Sequence, residues 1–172
     1  SYKAANVVLQ GSGDGTFGGA AGASGFALTG GNVAQPTNGS VLCDLNDDGK
    51  PDLAVSNYGV SVASGHNALY LNEGGGKLKN VAAEVGFAYL MSGNPWLVAS
   101  GQVTGDEPSP GATGPIGSNG FGLDCGDIDR DGRMDLFVTA ISHPNIGTYS
   151  RKWSDGTQLL MNRKNGSTFA LV

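Results

Sequence analysis

Hydrophobic and polar residues alternate along this chain in short runs, not in helical turns. Val41-Leu42, Leu53-Ala54-Val55-Ser56, Phe121-Gly122-Leu123 and Leu136-Phe137-Val138-Thr139 are each a few residues long and flanked by Gly, Asn or Asp. A period of two with such boundaries predicts half-buried strands closed by turns. Longer strand–turn–strand signals run from Val7 to Phe17, from Ala68 to Leu78 and from Gln158 to Phe169, each folding apolar residues around a Gly-, Asn- or Asp-containing turn. The one helical signal is short: residues 80–86 predict one or two turns, with Asn80 as N-cap and Gly86 as terminator. The fold class expected is therefore all-β and antiparallel.

Between these strands lie two nearly identical loops. Asp44-Leu45-Asn46-Asp47-Asp48-Gly49-Lys50-Pro51-Asp52-Leu53 reads D-x-N-x-D-G-x-x-D-L, and Asp127-Ile128-Asp129-Arg130-Asp131-Gly132-Arg133-Met134-Asp135-Leu136 reads D-x-D-x-D-G-x-x-D-L. Side-chain oxygens at positions 1, 3, 5 and 9 with Gly at 6 suit Ca²⁺, which takes six to eight hard oxygen ligands and needs a sharp turn to be wrapped by one short loop. Mg²⁺ fits less well, because it dehydrates reluctantly and demands octahedral geometry. An EF-hand is excluded: position 12 is Val55 or Val138 where a bidentate Glu is required, and both flanks read as strands.

These loops, with the ninth-position Asp, the following Leu and the alternating strand, resemble the calcium loop of FG-GAP (VCBS-type) repeats, the β-propeller blades of integrin α-subunits and of many secreted bacterial proteins. The Gly13-to-Phe17 turn and Leu69-Tyr70-Leu71-Asn72 resemble that family's hairpins. The resemblance implies two Ca²⁺ sites. One is held by Asp44, Asn46, Asp48 and Asp52 with the Lys50 carbonyl, the other by Asp127, Asp129, Asp131 and Asp135 with the Arg133 carbonyl. Asp47 and Arg130, at position 4, are expected to face solvent. Four carboxylates against three predict tighter binding at the second loop. The implied architecture is about two and a half propeller-type blades in a single domain, 1–172. It divides into an N-terminal hairpin or partial blade (1–30), a first repeat (31–88), a Gly/Pro-rich insertion (89–119) and a second repeat (120–172). Such an arc leaves sheet faces and edges open, so a homo-oligomer or filament completed by other protomers is expected.

Composition sharpens this reading. Glycine, 30 of 172 residues, has no Gly-X-Y period, so it marks turns and not collagen. The net charge of −5 is mostly site chemistry, since seven of the fifteen acids occupy ligand positions. No basic patch suggests nucleic acid, and no apolar run reaches the roughly 18 residues of a membrane span. His66 and His143 stand alone, without a metalloprotease motif, a nucleophile elbow or a phosphate loop, so no enzyme is expected. Cys43 and Cys125 lie one and two residues before the loops, an offset that puts them on opposite faces of equivalent strands. They are read either as two small buried thiols or as a disulfide between repeats. A chain that starts at Ser1 without a visible signal peptide fits a mature secreted protein or a trimmed one. Asn38-Gly39-Ser40 and Asn165-Gly166-Ser167 match the glycosylation tripeptide. The function expected is an extracellular, calcium-stabilised structural or assembly protein. The alternatives are an adhesion or glycan/protein-binding module, or a piece of a larger secreted propeller protein or enzyme. Trp96, in the insertion, either pins that loop to the core or anchors a partner.

Overall fold

The computed structural model describes residues 6–17, 26–30, 36–57, 67–88, 120–140, 157–165 and 168–171, the six after Arg163 without side-chain detail. The expected insertion at 89–119, with Trp96, lies outside these residues, as do His66 and His143. Among the described residues, ten strands form three sheets. β1 (Ala27–Thr29), β2 (Thr37–Cys43), β3 (Asp52–Asn57), β4 (Ala68–Gly74) and β5 (Lys77–Asn80) make one sheet in the order β1-β5-β4-β3-β2. β6 (Gly120–Gly126), β7 (Asp135–Ala140) and β8 (Gln158–Leu160) make a second, and β9 (Asn162–Asn165) pairs with β10 (Thr168–Leu171) in a third.

The two repeats match strand for strand. β2–β3 closes on the pair Cys43↔Asp52, and β6–β7 closes on Gly126↔Asp135, so each acidic loop joins the first two strands of its repeat in the same register. β4 pairs with β3 as β8 pairs with β7, and the β4–β5 hairpin corresponds to β9–β10. Where β4 is continuous, its counterpart is interrupted at Met161, giving β8 and β9.

One pairing departs from the antiparallel expectation. β1 adds to the outer edge of β5 in parallel, Ala27 opposite Lys77. Phe26 and Leu28, at period two, pack with Val8 and Leu53 against Val55, Ala68, Tyr70 and Leu78. The N-terminal segment thereby covers one face and the outer edge of the first repeat, an edge that otherwise presents unpaired backbone groups. Upstream, Gly11 and Phe17 form an antiparallel bridge, and the turn between them is held by Asp14, whose Oδ1 accepts from the Thr16 amide (2.9 Å) and hydroxyl (2.6 Å).

Residues 80–86 form a single capped turn and no helix. The Ala82 amide donates to Asn80 Oδ1 (3.0 Å), Val85 donates to Val81 O, and Gly86 at φ 86° lets Phe87 donate back to Ala82 O. This is a cap and a glycine terminator with one turn between them. Val81, Ala82, Val85 and Phe87 are buried by it in the main core.

That core lies at the junction of the two repeats. Cys43, Leu45, Ala54 and Leu69 from the first repeat meet Leu136, Val138 and Leu160 from the second. The positions are not equivalent: Ala54 corresponds to Phe137, whereas Val55 corresponds to Val138. Successive repeats therefore touch through opposite faces. Cys43 and Cys125 form a disulfide across this junction, with Cα atoms 6.7 Å apart. The one-residue offset in their loop positions is what such a bond requires, because stacked repeats meet front to back.

At the other end of the seam the contacts are polar and close. Ser56 Oγ donates to Phe121 O (2.9 Å) and Asn38 Nδ2 to Gly120 O (3.1 Å). A Cβ on Gly39 would stand 2.4 Å from the Phe121 carbonyl oxygen, so only glycine lets β2 approach β6. The Asn38 amide nitrogen that a glycan would occupy is already engaged in this seam.

Candidate metal centres

Each acidic loop begins immediately after the last residue of a strand and folds back through two left-handed residues. Asp47 and Arg130 at position 4 have φ 61° and 62°, and Gly49 and Gly132 at position 6 have φ 80° and 89°. A non-glycine residue in this region costs roughly 1–2 kcal/mol, less for Asp, whose side chain bonds locally. The loops hold these angles because their carboxylates organise the backbone. Asp44 accepts from the Asp48 amide through Oδ1 (3.0 Å) and from the Gly49 amide through Oδ2 (2.8 Å). Asp127 repeats both bonds with Asp131 (2.9 Å) and Gly132 (3.0 Å). Position 5 accepts from the position 7 amide in each loop, Asp48 from Lys50 and Asp131 from Arg133. Asp47 and Arg130 are exposed.

The ninth-position acids differ from the rest. Asp52 and Asp135 are fully buried. Asp52 Oδ2 accepts from the Leu45 amide (2.9 Å) and Oδ1 from the Asn72 amide (2.8 Å). Asp135 does the same with Ile128 (2.9 Å) and Asn162 (2.8 Å). Each thus ties its loop to the third strand of the blade. Burial pushes the Asp52 carboxyl above its usual range, against the pull of the Asn72 and Leu45 amides, and the neighbouring Asp48 and Asp44 add to the rise. A group of buried or half-buried acids of this kind is charged most readily when a cation arrives.

In the second loop, carboxylate oxygens of Asp127, Asp129 and Asp135 all lie within 4.8 Å of one another. Ligands 2.3–2.6 Å from one ion stand at about that separation, and an all-oxygen donor set suits Ca²⁺. The donors therefore fit the ion. In the first loop, position 3 is the amide of Asn46, whose Oδ1 meets the Asp48 amide (3.2 Å).

Basic side chains lie over both loops, and the sequence reading had not foreseen them. Lys50 Nζ bonds Asp48 Oδ2 (2.8 Å), an interaction that holds the Asp48 carboxyl below its usual range. The second loop carries two arginines. Arg133 pairs with Asp131 through Nη2 and donates through Nε to Asn162 O (3.1 Å). Arg163, from β9, places Nη1 2.7 Å from Asp129 Oδ2 and 3.2 Å from Asp131 Oδ2, which lowers the Asp129 pKa. Asn162 was also missed. Its amide anchors Asp135, while its Nδ2 donates to Met134 O (3.2 Å) and, across the junction, to Leu45 O (2.8 Å). The signal was present, since Asn72 and Asn162 stand at matching places in the two hairpins, and Asn72 Nδ2 likewise donates to Pro51 O (3.1 Å).

Strand–loop–strand units repeated in one register, each closed by a buried aspartate, define a β-repeat protein. Residues 44–107 match the model of the FG-GAP-like repeat, a stretch that begins at the first position of loop one. No curated protein and no solved structure shows significant similarity to the chain.

Proposed function

We propose that this chain is an extracellular, non-enzymatic structural protein, with Ca²⁺ at both loops rigidifying its repeats and other protomers completing its open faces. The observation that carries this reading is a contrast between equivalent positions. Leu45, Ala54 and Leu69 are 1%, 0% and 0% exposed at the repeat junction, whereas their counterparts Ile128, Phe137 and Leu159 are 57%, 42% and 43% exposed. The second repeat thus presents the same kind of apolar face that the first one buries against its neighbour. At the opposite end, Val7, Val8, Leu9, Phe26, Leu42 and Leu53 line an apolar cleft of about 440 Å³. An exposed apolar face and an apolar cleft at opposite ends favour head-to-tail contact between copies, which yields rings or filaments. The disulfide supports an oxidising compartment. No helix among the described residues is long and apolar enough to cross a membrane. In each site, Asp44, Asn46, Asp48, Asp52 and the Lys50 carbonyl, or Asp127, Asp129, Asp131, Asp135 and the Arg133 carbonyl, would hold the ion, whose binding free energy becomes folding free energy.

The deciding experiment is mass in solution, by light scattering, in Ca²⁺ and in EGTA. Assemblies that form in Ca²⁺ and dissociate in EGTA or on Phe137→Glu support the proposal. A monomer under all conditions overturns it, and a monomer that binds a glycan array would assign the chain to the binding modules instead.

A further inference from the structure

We infer that Arg163 acts as a built-in competitor for the cation at the second loop, making that loop the weaker of the two sites although it has the larger number of carboxylates. The inference rests on the calcium reading above. Carboxylate count alone favours loop two, with four acids against three. Other charges stand in and beside the loops in the sequence, and the structure brings Lys50, Arg133 and Arg163 onto the acids. At loop one, Asp44, Asp47, Asp48 and Asp52 are joined by Glu73, which occupies on β4 the register position that Arg163 occupies after Asn162. Counted along the sequence, these five acids and one cation, Lys50, sum to −4. At loop two, Asp127, Asp129, Asp131 and Asp135 are accompanied by Arg130, Arg133 and Arg163, for a local charge of −1.

Position matters as much as the sum. Arg163 Nη1 lies between Asp129 Oδ2 and Asp131 Oδ2, at 2.7 and 3.2 Å. These are the oxygens expected at positions 3 and 5, and the nitrogen stands little farther from them than Ca²⁺ would. Arg133 engages the same Asp131 oxygen. An ion entering loop two must therefore displace a guanidinium from two ligands and then share the site with its charge. At loop one, the corresponding displacement is that of Lys50 from Asp48 alone. Arginine cannot be relieved of its charge at any physiological pH, so the competition is permanent. A unit charge about 6 Å from a divalent ion in a water-like dielectric changes affinity by about tenfold.

The test is a Ca²⁺ titration of the intact chain, followed residue by residue in ¹⁵N spectra. The amides of Gly49 and Gly132 bond to the position 1 carboxylate of their own loops, so each reports one site. In the wild type, Gly49 is expected to saturate first. Arg163→Gln should tighten the Gly132 transition about tenfold while leaving Gly49 within twofold. The reciprocal Glu73→Arg, on an exposed position of β4, should weaken the Gly49 transition by a similar factor. A wild type in which Gly132 saturates first, or an Arg163→Gln protein whose Gly132 midpoint does not move, overturns the inference while leaving the calcium reading intact. If neither glycine responds to millimolar Ca²⁺ in either protein, the calcium reading itself falls.

Discussion

The ninth-position aspartates hold the loops whether or not an ion is bound. Asp135 accepts two backbone amides while fully buried, and a lost charge-assisted hydrogen bond leaves an unsatisfied donor behind. Asp135→Ala should therefore destabilise the protein by about 2–4 kcal/mol even in EGTA, measured by urea unfolding. A loss seen only in Ca²⁺ would reduce Asp135 to a ligand. Two aspartates should titrate in opposite senses. Burial raises Asp52, so its contribution to stability is full below the unfolded value near 3.8 and is lost as pH rises through the higher folded pKa. The Thr16 hydroxyl and amide lower Asp14, so its contribution is present above 3.8 and is lost as pH falls through the lower folded pKa. Carboxyl ¹³C titrations in EGTA should place the Asp52 midpoint above 3.8 and that of Asp14 below it. The loop acids and the position 6 glycines were legible in the sequence because the same residue types recur at the same loop positions in both repeats. Arg163 was not, because it reaches the loop from a strand 32 or more residues away and nothing in its local pattern marks the reach; Asn162 was marked only by its matching place with Asn72 in the two hairpins.

At the scale of elements, the seam between β2 and β6 depends on closeness. Gly39→Ala would drive a methyl group into the Phe121 carbonyl, and separating the strands should cost about 1–3 kcal/mol, with the Ser56 and Asn38 bonds to β6 lost as amide protection at the seam falls. The disulfide closes a loop of 82 residues between the repeats. Chain entropy gives such a closure about 4–5 kcal/mol, so the Cys43→Ser/Cys125→Ser double variant should unfold at markedly lower denaturant. The strands of both repeats were readable from period-two alternation and Gly/Asn/Asp boundaries. β1 was not, since three residues in a glycine-rich stretch carry too little pattern to announce a parallel edge pairing. The turn at 80–86 was read correctly at both ends, where Asn80 and Gly86 act locally. Its length, one turn, is the shorter of the two expected, and Val81, Val85 and Phe87 are packed into the core by it.

For the whole molecule, the repeats stack front to back, and the cysteine offset recorded that geometry in the sequence before any coordinates did. Calcium should act on the stack as a unit. Addition of EGTA is expected to lower the thermal midpoint by several degrees, since a ligand at a hundredfold its Kd adds about 2.7 kcal/mol; an unchanged midpoint by calorimetry would argue that the loops hold no ion. The bond from Asn162 Nδ2 to Leu45 O has one more consequence. Leu45 donates its own amide to Asp52 of the first site, and Asn162 donates its amide to Asp135 of the second. The two sites are thus joined by a continuous line of hydrogen bonds through one leucine and one asparagine. An ion in either loop would stiffen an end of that line, and thermodynamic reciprocity requires that whatever factor a first ion lent to a second, the second would return to the first.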